Sequence, residues 1–545
     1  MYNIALIFPL EFKKFYVNPY YLQKIGGIIQ ETNFSQCVQV ELLDVNTSQF
    51  MQQISKHFEL VIMDTPEGQI ESLKHIFEIV KADNILLVGD GLKYGKSKDM
   101  LMYLKKQYPC SIYGCLDDYA ISQFITNVII DNSRIEAVSG LLYFKQDKLV
   151  QNDIWQKDND NKLIPLHFPD NIIQAYEDKG IQIFMDGLFR GCENRCSFCK
   201  LNNNTLLKNK IQTSRIDVVK TIEEITKKCN KLLFIQFTDE NFFGGGSSRL
   251  SQISNLSKKL LEIQYNGVLG IDTRLDTIYN INEDDIQRNL REKAWNDLYS
   301  CGLRYCFVGL ETFCESQAFR YNKRLDLSNY KPAISFLENK GIIYTIGLIL
   351  WDPLMKKSEL INNLDFIKKN NLIGRTASLL KIMRIQVNSQ YREMYYKNNG
   401  NECIDFFHIN SEDIEYQDIE IRNILPFVKM VYRLFDGCGY RHSDVALFSV
   451  LYDDNTPQIL KNIPYEVSKL EYDVLLYLLQ QKNFQKNQIT KKVLLHCKST
   501  VFKIYKSLKQ IGNLNNNIIS IKNYYEDIFS KIYCELKYLL AKMHY

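Results

Sequence analysis

Long apolar runs are missing from this sequence. No stretch approaches the roughly 18 consecutive apolar residues of a membrane-spanning helix, so none is expected. Ile4 to Leu10 are apolar, but Glu11, Lys13 and Lys14 end the run and no basic segment precedes it. A secretory signal is therefore not expected, and the chain reads as cytoplasmic. A surplus of one charge is missing too: 67 Lys and Arg against 63 Asp and Glu leave a net charge of +4, which excludes a broad nucleic-acid or anionic-membrane footprint. Internal repeats and low-complexity tracts are absent. What remains is an ordinary globular balance, 46% hydrophobic and 24% charged, over 545 residues, a length that suits about three to four domains. Fourteen cysteines without a secretory signal point to thiols and metal ligands rather than a disulfide scaffold.

Within residues 1–150, short β-like runs alternate with helix-length segments. The runs are Ile4–Pro9, Val38–Asp44, Leu60–Asp64, Ile85–Gly89 and Ser111–Tyr113. Between them, Tyr20–Glu31, Ser48–Phe58, Glu67–Val80 and Ser97–Gln107 carry apolar residues at helical spacing. The alternation predicts a doubly wound, Rossmann-like α/β domain with a parallel sheet. Such sheets bind ligands beyond the carboxyl ends of their strands. Those ends carry Asp44-Val45-Asn46, Asp64-Thr65-Pro66 and Gly89-Asp90-Gly91.

Residues 151–178 are polar, contain Pro165 and Pro169, and suit a linker. A second βα series follows over 179–400, with strands expected at Gln182–Met185, Leu233–Phe237, Val268–Asp272, Tyr305–Gly309, Tyr344–Leu350 and Leu379–Ile385. Six parallel strands in that span fit a partial (β/α)6 barrel, whose active site lies at the strand C-termini. From 405 to 545 the pattern is mostly helical. Within it, 466–514 reads as helix, short helix, turn, helix, compatible with a winged-helix-like module.

The segment Arg190-Gly191-Cys192-Glu193-Asn194-Arg195-Cys196-Ser197-Phe198-Cys199 sets three thiols at C-x3-C-x2-C spacing directly after the first strand of the second series. Thiolates ligate iron–sulfur clusters, normally four to a [4Fe–4S] unit. Three leave one iron open for a bidentate ligand, such as the amino and carboxylate groups of S-adenosylmethionine (SAM). On residue types alone, a zinc site completed by a histidine stays open, with His408 the next histidine in sequence, and so does a chance grouping in a loop. Cys301, Cys306 and Cys314 form a second close group in which an auxiliary cluster is conceivable, although Cys306 is expected in a packed layer.

The cysteine segment resembles the radical SAM superfamily motif C-x3-C-x-aromatic-C. Phe198 stands at the aromatic position, which the resemblance puts near the adenine. Phe237-Thr238-Asp239-Glu240-Asn241-Phe242 is similar to the second-strand segment whose polar residues meet the amino group of SAM, which implies that role for Asp239, Glu240 and Asn241. Gly270 to Asp276, with Arg274, resembles the third-to-fourth-strand segment, and Phe307 to Thr312, with Glu311, resembles the G-x-E strand. Asn322-Lys323-Arg324 stands where related enzymes have Asn-Lys-Gly, and Gly347 to Leu354 resembles the sixth-region strand and turn of cobalamin-linked members. The resemblance covers about residues 180 to 395. It implies reductive cleavage of SAM to methionine and a 5′-deoxyadenosyl radical that takes hydrogen from an unactivated carbon, in a site the protein closes to competing reactions. An electron donor such as flavodoxin or ferredoxin is an implied partner.

An α/β domain ahead of the barrel resembles the cobalamin-binding radical SAM subgroup. Ala137 to Phe144 followed by Asp147 to Asn152 is similar to that group's passage into the barrel, and Gly89-Asp90-Gly91 stands at its Gly-rich turn. The implied cofactor is cobalamin on the strand ends, against Asp44, Thr65, Gly89 and Gly91. The chain departs from the wider cobalamin pattern: no histidine precedes His57, which lacks a glycine three residues on, so a lower histidine ligand to cobalt is not expected. The implied reaction is C-methyl transfer to an sp3 carbon of a natural product or peptide. A cyclase, epimerase or rearrangement enzyme is the alternative. An iron–sulfur redox-sensing regulator is more distant, because a sensor has no use for SAM-contacting strands. The lysines from Lys491 to Lys509 read first as the solvated face of a capping module, ahead of a leader-peptide site, with nucleic acid last.

Protein purified without oxygen is expected to be brown and to carry about four irons per chain for one cluster. The combined Cys192→Ala, Cys196→Ala, Cys199→Ala variant is expected to lose them; unchanged iron in that variant moves the cluster elsewhere.

Overall fold

The computed structural model describes the chain except residues 12–15, 66–69, 95, 155–162, 202–211, 245, 325, 400–407, 410–413, 441–446, 483–484, 513, 515 and 544–545. Packing divides it into two units. The first comprises 1–271, 289–303 and 385–410, and the second comprises 272–288, 304–384 and 411–545. The 151–178 segment is not the linker expected: Asp170–Lys179 is a helix that buries Ile172, Ile173 and Tyr176, and Ile164, Leu166 and Phe168 before it are buried, while 155–162 lie outside the described residues.

In the first unit the opening alternation folds as a parallel sheet. Strands β1 (Tyr2–Phe8), β2 (Val38–Asp44), β3 (His57–Asp64), β4 (Lys81–Val88) and β5 (Ser111–Cys115) lie in the order β2-β1-β3-β4-β5. Ile4 to Ile7 and Leu60 to Met63 are wholly buried on both faces, as the middle of a doubly covered parallel sheet requires. The helix expected over Ser48–Phe58 shrinks to Phe50–Gln53, because β3 already begins at His57. An antiparallel hairpin, β6 (Leu141–Lys145) and β7 (Lys148–Gln151), extends the sheet beyond β5. Its turn puts Gln146 and Asp147 at φ +49° and +61° without the Asn-Gly or Asp-Gly pair that normally marks such a hairpin.

The second series keeps its order along the chain: β8 (Ile183–Met185), β9 (Phe189–Arg190), β10 (Gln212–Thr213), β11 (Phe234–Phe237), β12 (Val268–Arg274), β13 (Leu303–Glu311) and β14 (Ile343–Leu348). Helices such as Val218–Lys228, Ser247–Glu262, Asp285–Ser300, Tyr330–Asn339 and Lys357–Lys369 separate and follow the longer strands. In the first unit β11 pairs in parallel with β8 and β12, and in the second β13 pairs in parallel with β14.

The sixth strand expected at Leu379–Ile385 does not form. The backbone of Leu379 is taken by side chains instead of a ladder: its N–H donates to Glu471 Oε2 at 2.8 Å and its carbonyl accepts from Trp351 Nε1 at 2.7 Å. Ser378 Oγ donates to the other Glu471 oxygen at 2.8 Å. Ile382 makes an isolated parallel bridge to Trp351, and Ile385 begins only the two-residue strand Ile385–Gln386, which pairs antiparallel with His408–Ile409.

The C-terminal region is helical, with Ile419–Gly437, Gln458–Leu479, Lys486–Lys509 and Asn516–Lys542. This corrects the helix, short helix, turn, helix expected at 466–514. Nothing from Lys492 to Thr500 is Gly or Pro, so one helix runs through. Its buried stripe is Ile489, Val493, Cys497, Val501, Ile504 and Leu508 at helical spacing, and Lys491, Lys492, Lys503, Lys506 and Lys509 lie exposed off it. Among the described residues no strand in 458–542 supplies a wing, and no helix is long and apolar enough to cross a membrane.

Glu471→Ala leaves the buried Leu379 N–H without an acceptor. It is expected to cost about 1–3 kcal/mol of stability in denaturant unfolding, with Glu471→Gln closer to the parent chain.

Candidate cofactor site at the cysteine loop

The first unit builds its most concentrated chemistry where β8 runs out. The chain passes through Asp186-Gly187 into β9, and Gly191, at φ +89°, turns it into the cysteine segment. Cys192, Cys196 and Cys199 form no disulfide, Cys196 being buried and the other two half-buried. Burial, followed by the neighbouring charges of Cys196 and Cys192, pushes the Cys199 thiol up to about 12 despite a backbone hydrogen bond that opposes the rise. Asn194 Nδ2 lies 3.5 Å from Cys192 Sγ, the distance of a donor to sulfur. Among the described residues no three Cys, His, Asp or Glu side chains close around a single metal ion. A [4Fe–4S] unit, which takes cysteine thiolates on separate irons, suits three thiols on one loop. The side chain of His408 lies outside the described residues.

The polar segment after β11 clasps this loop. Asp239, with no exposed surface, accepts from the backbone N–H of Gly187 and of Phe189, each at 2.7 Å. Gly187 has to be glycine, since a Cβ there would lie 2.3 Å from Asp239 Oδ2. Burial holds the Asp239 carboxyl up at about 7 against those two donors. Glu240 accepts from Gly191 N–H at 2.9 Å, and Asn241 donates to Glu193 Oε1 at 3.0 Å. Arg190 pairs with Asp186 at 2.9 Å, and Tyr391 N–H donates to Ser197 O at 2.9 Å. Asp239, Glu240 and Asn241, taken from the resemblance as SAM contacts, thus hold the loop that carries the thiols. Phe198 is half-buried in that loop.

The strand ends of the α/β sheet belong to the same unit. Asp44 folds back on Asn46, accepting from its N–H at 2.9 Å and its side chain at 2.6 Å. Thr65 clips two strand ends together: its hydroxyl donates to Val88 O at 2.5 Å and accepts from Leu92 N–H at 2.8 Å, and its carbonyl accepts from Gly91 N–H at 2.7 Å. Gly89, at φ +98°, is required by its own turn, because a Cβ would meet Asp64 Oδ1 at 2.0 Å. Lys200, the residue after Cys199, reaches Asp90 at 3.3 Å and so ties this glycine turn to the cysteine loop. Sequence reading missed that pair, because a lone lysine and aspartate 110 positions apart carry no signal.

The second unit holds the other two expected contacts. Arg274, the last residue of β12, forks onto Asp276 through Nε and Nη2 at 2.9 and 3.0 Å. Glu311 ends β13 at φ +73°, where a side-chain-bearing residue is strained, and the β13–β14 register shifts between Gly309 and Glu311. Lys323 Nζ bridges Glu311 Oε1 at 3.0 Å and Gly309 O at 2.9 Å. Beside them Arg274, Asp276, Lys323, Arg324 and Asp326 line a small cleft of about 20 Å³. Cys301, Cys306 and Cys314 are each buried.

No protein-family model matches the chain. Among curated proteins, the 4′-phospho-dehydrooxetanocin synthase of Priestia megaterium is 22% identical over 381 residues, 66% of this chain and 49% of that protein. The chain thus spans about half the length of this curated relative. Among solved structures, the cobalamin-dependent S-adenosylmethionine radical enzyme OxsB with aqua-cobalamin bound matches with a TM-score of 0.72 at 17% identity, over 99% of this chain and 81% of its own. The radical S-adenosylmethionine methyltransferase TsrM from Kitasatospora setae, with cobalamin and a [4Fe-4S] cluster bound, matches with a TM-score of 0.55 at 12% identity, over 73% and 75%. The chain has the fold of the cobalamin-dependent radical SAM enzymes, as the resemblance implied.

Asp64, at the end of β3, gives a pH test of the strand-end cluster. Burial foremost and the nearby Asp90 charge hold its carboxyl up at about 8, above the unfolded 3.8. The folded chain keeps a proton the unfolded chain has lost, so stability falls as pH rises through that window, by at most about 1.4 kcal/mol per pH unit. Asp64→Asn is expected to flatten this loss between pH 5 and 8 in denaturant unfolding of the cofactor-free chain; parallel curves for the two proteins speak against it.

Proposed function

We propose that this chain is a radical SAM enzyme. Cys192, Cys196 and Cys199 hold a [4Fe–4S] cluster, SAM binds at the iron they leave open, and cobalamin lies against the strand ends of residues 1–150 that carry Asp44, Thr65, Gly89 and Gly91. The observation that carries this proposal is the clasped loop of three cysteines joined to the glycine turn through Lys200 and Asp90. The match to a cobalamin-dependent radical enzyme over 99% of the chain supports it.

When bound, the reduced cluster supplies the electron that splits SAM, and the corrinoid supplies a second reactive centre beside it. The chain's own residues do the positioning. Asp239 and Glu240 fix the loop backbone through three N–H groups, and Phe198 meets the adenine. Arg274 and Glu311 serve polar groups of SAM, with the strained backbone at Glu311 fixing where its carboxylate points. Electrons come from a flavodoxin- or ferredoxin-like donor, and the substrate is a small molecule, for which the phospho-compound in the curated relative's name is one chemical precedent.

Methyl transfer to an sp3 carbon is the reading taken from the subgroup resemblance, and the match to a methyltransferase supports it. A bond rearrangement without methyl transfer is favoured by a different observation: the curated relative is named a synthase, and the match to the methyltransferase stops at 73% of the chain. The two readings separate by product. Protein prepared anaerobically with cobalamin, reductant, SAM and a candidate substrate is expected to release 5′-deoxyadenosine. Methyl transfer adds S-adenosylhomocysteine, and rearrangement does not. Protein loaded with iron and corrinoid that forms neither product overturns the enzyme assignment.

A further inference from the structure

The charge of the chain is not spread evenly. From Val474 to Tyr525 there are nine lysines and no Asp, Glu or Arg, which leaves the rest of the chain net negative. Seven of the nine lie on helix Lys486–Lys509, whose buried stripe packs against the helices Gln458–Leu479 and Asn516–Lys542. A second stripe is turned away from that packing. Lys491, Leu495, Lys498, Phe502, Lys506 and Lys509 recur at spacings of three and four and so share one side of the helix, Lys498 half-buried and the others exposed. Leu495 and Phe502, at its centre, are 47% and 45% exposed. The Phe502 ring lies 5.3 Å from that of Tyr533, so the apolar centre continues onto the following helix. The ion pairs nearby, Lys469–Asp473, Lys522–Glu526 and Lys531–Asp527, each lie within a neighbouring helix, and among the described residues none reaches this one. Like charges at helical spacing repel, and Lys486 opens the helix at the positive pole of its dipole. A basic face without counter-charge, built around exposed apolar residues, costs the lone chain stability that an anionic partner restores.

We propose that this stripe docks an acidic, amphipathic segment of a partner protein. The inference stands apart from the radical SAM reading. Charge complementarity calls for the acid. An apolar centre ringed by lysines has the layout of a protein–protein contact, in which a few large apolar residues anchor and a charged rim steers. Nucleic acid fits less well. No arginine is present to fork onto phosphates or base edges. The tyrosine faces on which bases would stack are already used: Lys509 lies over Tyr505 at 4.7 Å, Lys537 over Tyr533 at 5.6 Å and Lys542 over Tyr538 at 4.3 Å. An anionic membrane also fits less well, because the wide apolar stripe of the helix is spent on packing within the bundle, leaving Leu495 and Phe502 to enter lipid.

The probe is a synthetic helix of about 20 residues, long enough to follow the stripe, with Glu on its polar face and Leu at helical spacing on the other. Its control is the same peptide with every Leu replaced by Ser. Both are titrated into the full chain by fluorescence anisotropy, beside oligo(dT) of equal charge and vesicles containing phosphatidylserine. The Glu–Leu peptide is expected to bind more tightly than the other three, and to weaken as salt is raised. Phe502→Ala is expected to weaken it about 10-fold, the scale of a lost apolar anchor. Lys498→Glu combined with Lys506→Glu, one turn to either side of Phe502, is expected to weaken it by at least as much. The melting temperature reports whether each variant keeps its fold, and if Phe502→Ala lowers it, Leu495→Ser on the same face replaces it. Equal affinity for the two peptides, or undiminished binding by the apolar variant, overturns the proposal and leaves a solvated basic face. Tighter binding of the oligonucleotide or the vesicles overturns it in favour of that partner.

Discussion

Two peptide N–H groups converge on one buried carboxylate, and the course of the chain from β8 to Cys199 depends on that convergence. Asp239 has no surface in contact with water, so its oxygens are affordable only because Gly187 and Phe189 donate to both. The same two bonds hold the first turn out of β8 at a fixed distance from β11. Glu240 and Asn241 repeat the device on the next stretch, at Gly191 and Glu193. Three successive polar residues thus convert the end of a strand into a frame for a loop that has almost no regular structure of its own. The cluster proposed for this loop would need such a frame, because three thiolates on a shared cluster tolerate little positional freedom.

Charge extends this frame into the α/β sheet. Lys93 and Lys24 lie 2.5 and 2.8 Å from Asp118, Lys24 lies 3.9 Å from Asp186, and Arg190 joins Asp186 at 2.9 Å and Glu240 at 3.7 Å. Burial alone would raise the Asp118 carboxyl, but Lys24 and Lys93 outweigh it and hold it well below the usual range. Buried networks of this kind add little net stability, since desolvation consumes the attraction, but breaking any member leaves an uncompensated charge. Their effect is to make one arrangement of sheet and loop far better than its neighbours. In the second unit the equivalent precision comes from backbone strain at Glu311, braced by Lys323.

Much of this was legible in the residues. Strand runs such as Val38–Asp44 and helix runs such as Ser97–Gln107 come out with the expected bounds, because apolar periodicity and burial coincide there. The cysteine spacing picked out the loop. Other elements were hidden for identifiable reasons. Leu379 to Ile385 has the composition of a strand, but Glu471, more than 90 positions away, takes its backbone donor. The β6–β7 hairpin turns on Gln146 and Asp147 without a recognisable turn pair. Asp239 to Asn241 were found by resemblance, yet their bonding to the loop is a matter of three-dimensional approach that no spacing encodes.

The first unit is not continuous in the chain, and this bears on how the protein is made. Trp295 stacks on Phe243 with centroids 4.0 Å apart, and Tyr391 holds Ser197 in the cysteine loop, so both late segments complete what the first 271 residues begin. At about 5–20 residues per second, a ribosome needs roughly 7 to 28 s to travel from residue 271 to residue 410. Through that interval the nascent loop carries three thiols without its last backbone tie, next to apolar surface awaiting its cover. Oxidation or capture by the wrong metal competes with folding for those seconds. A cluster proposed for this loop would be loaded most safely after residue 391 has emerged, which makes translation speed part of what sets the yield of correctly assembled chain.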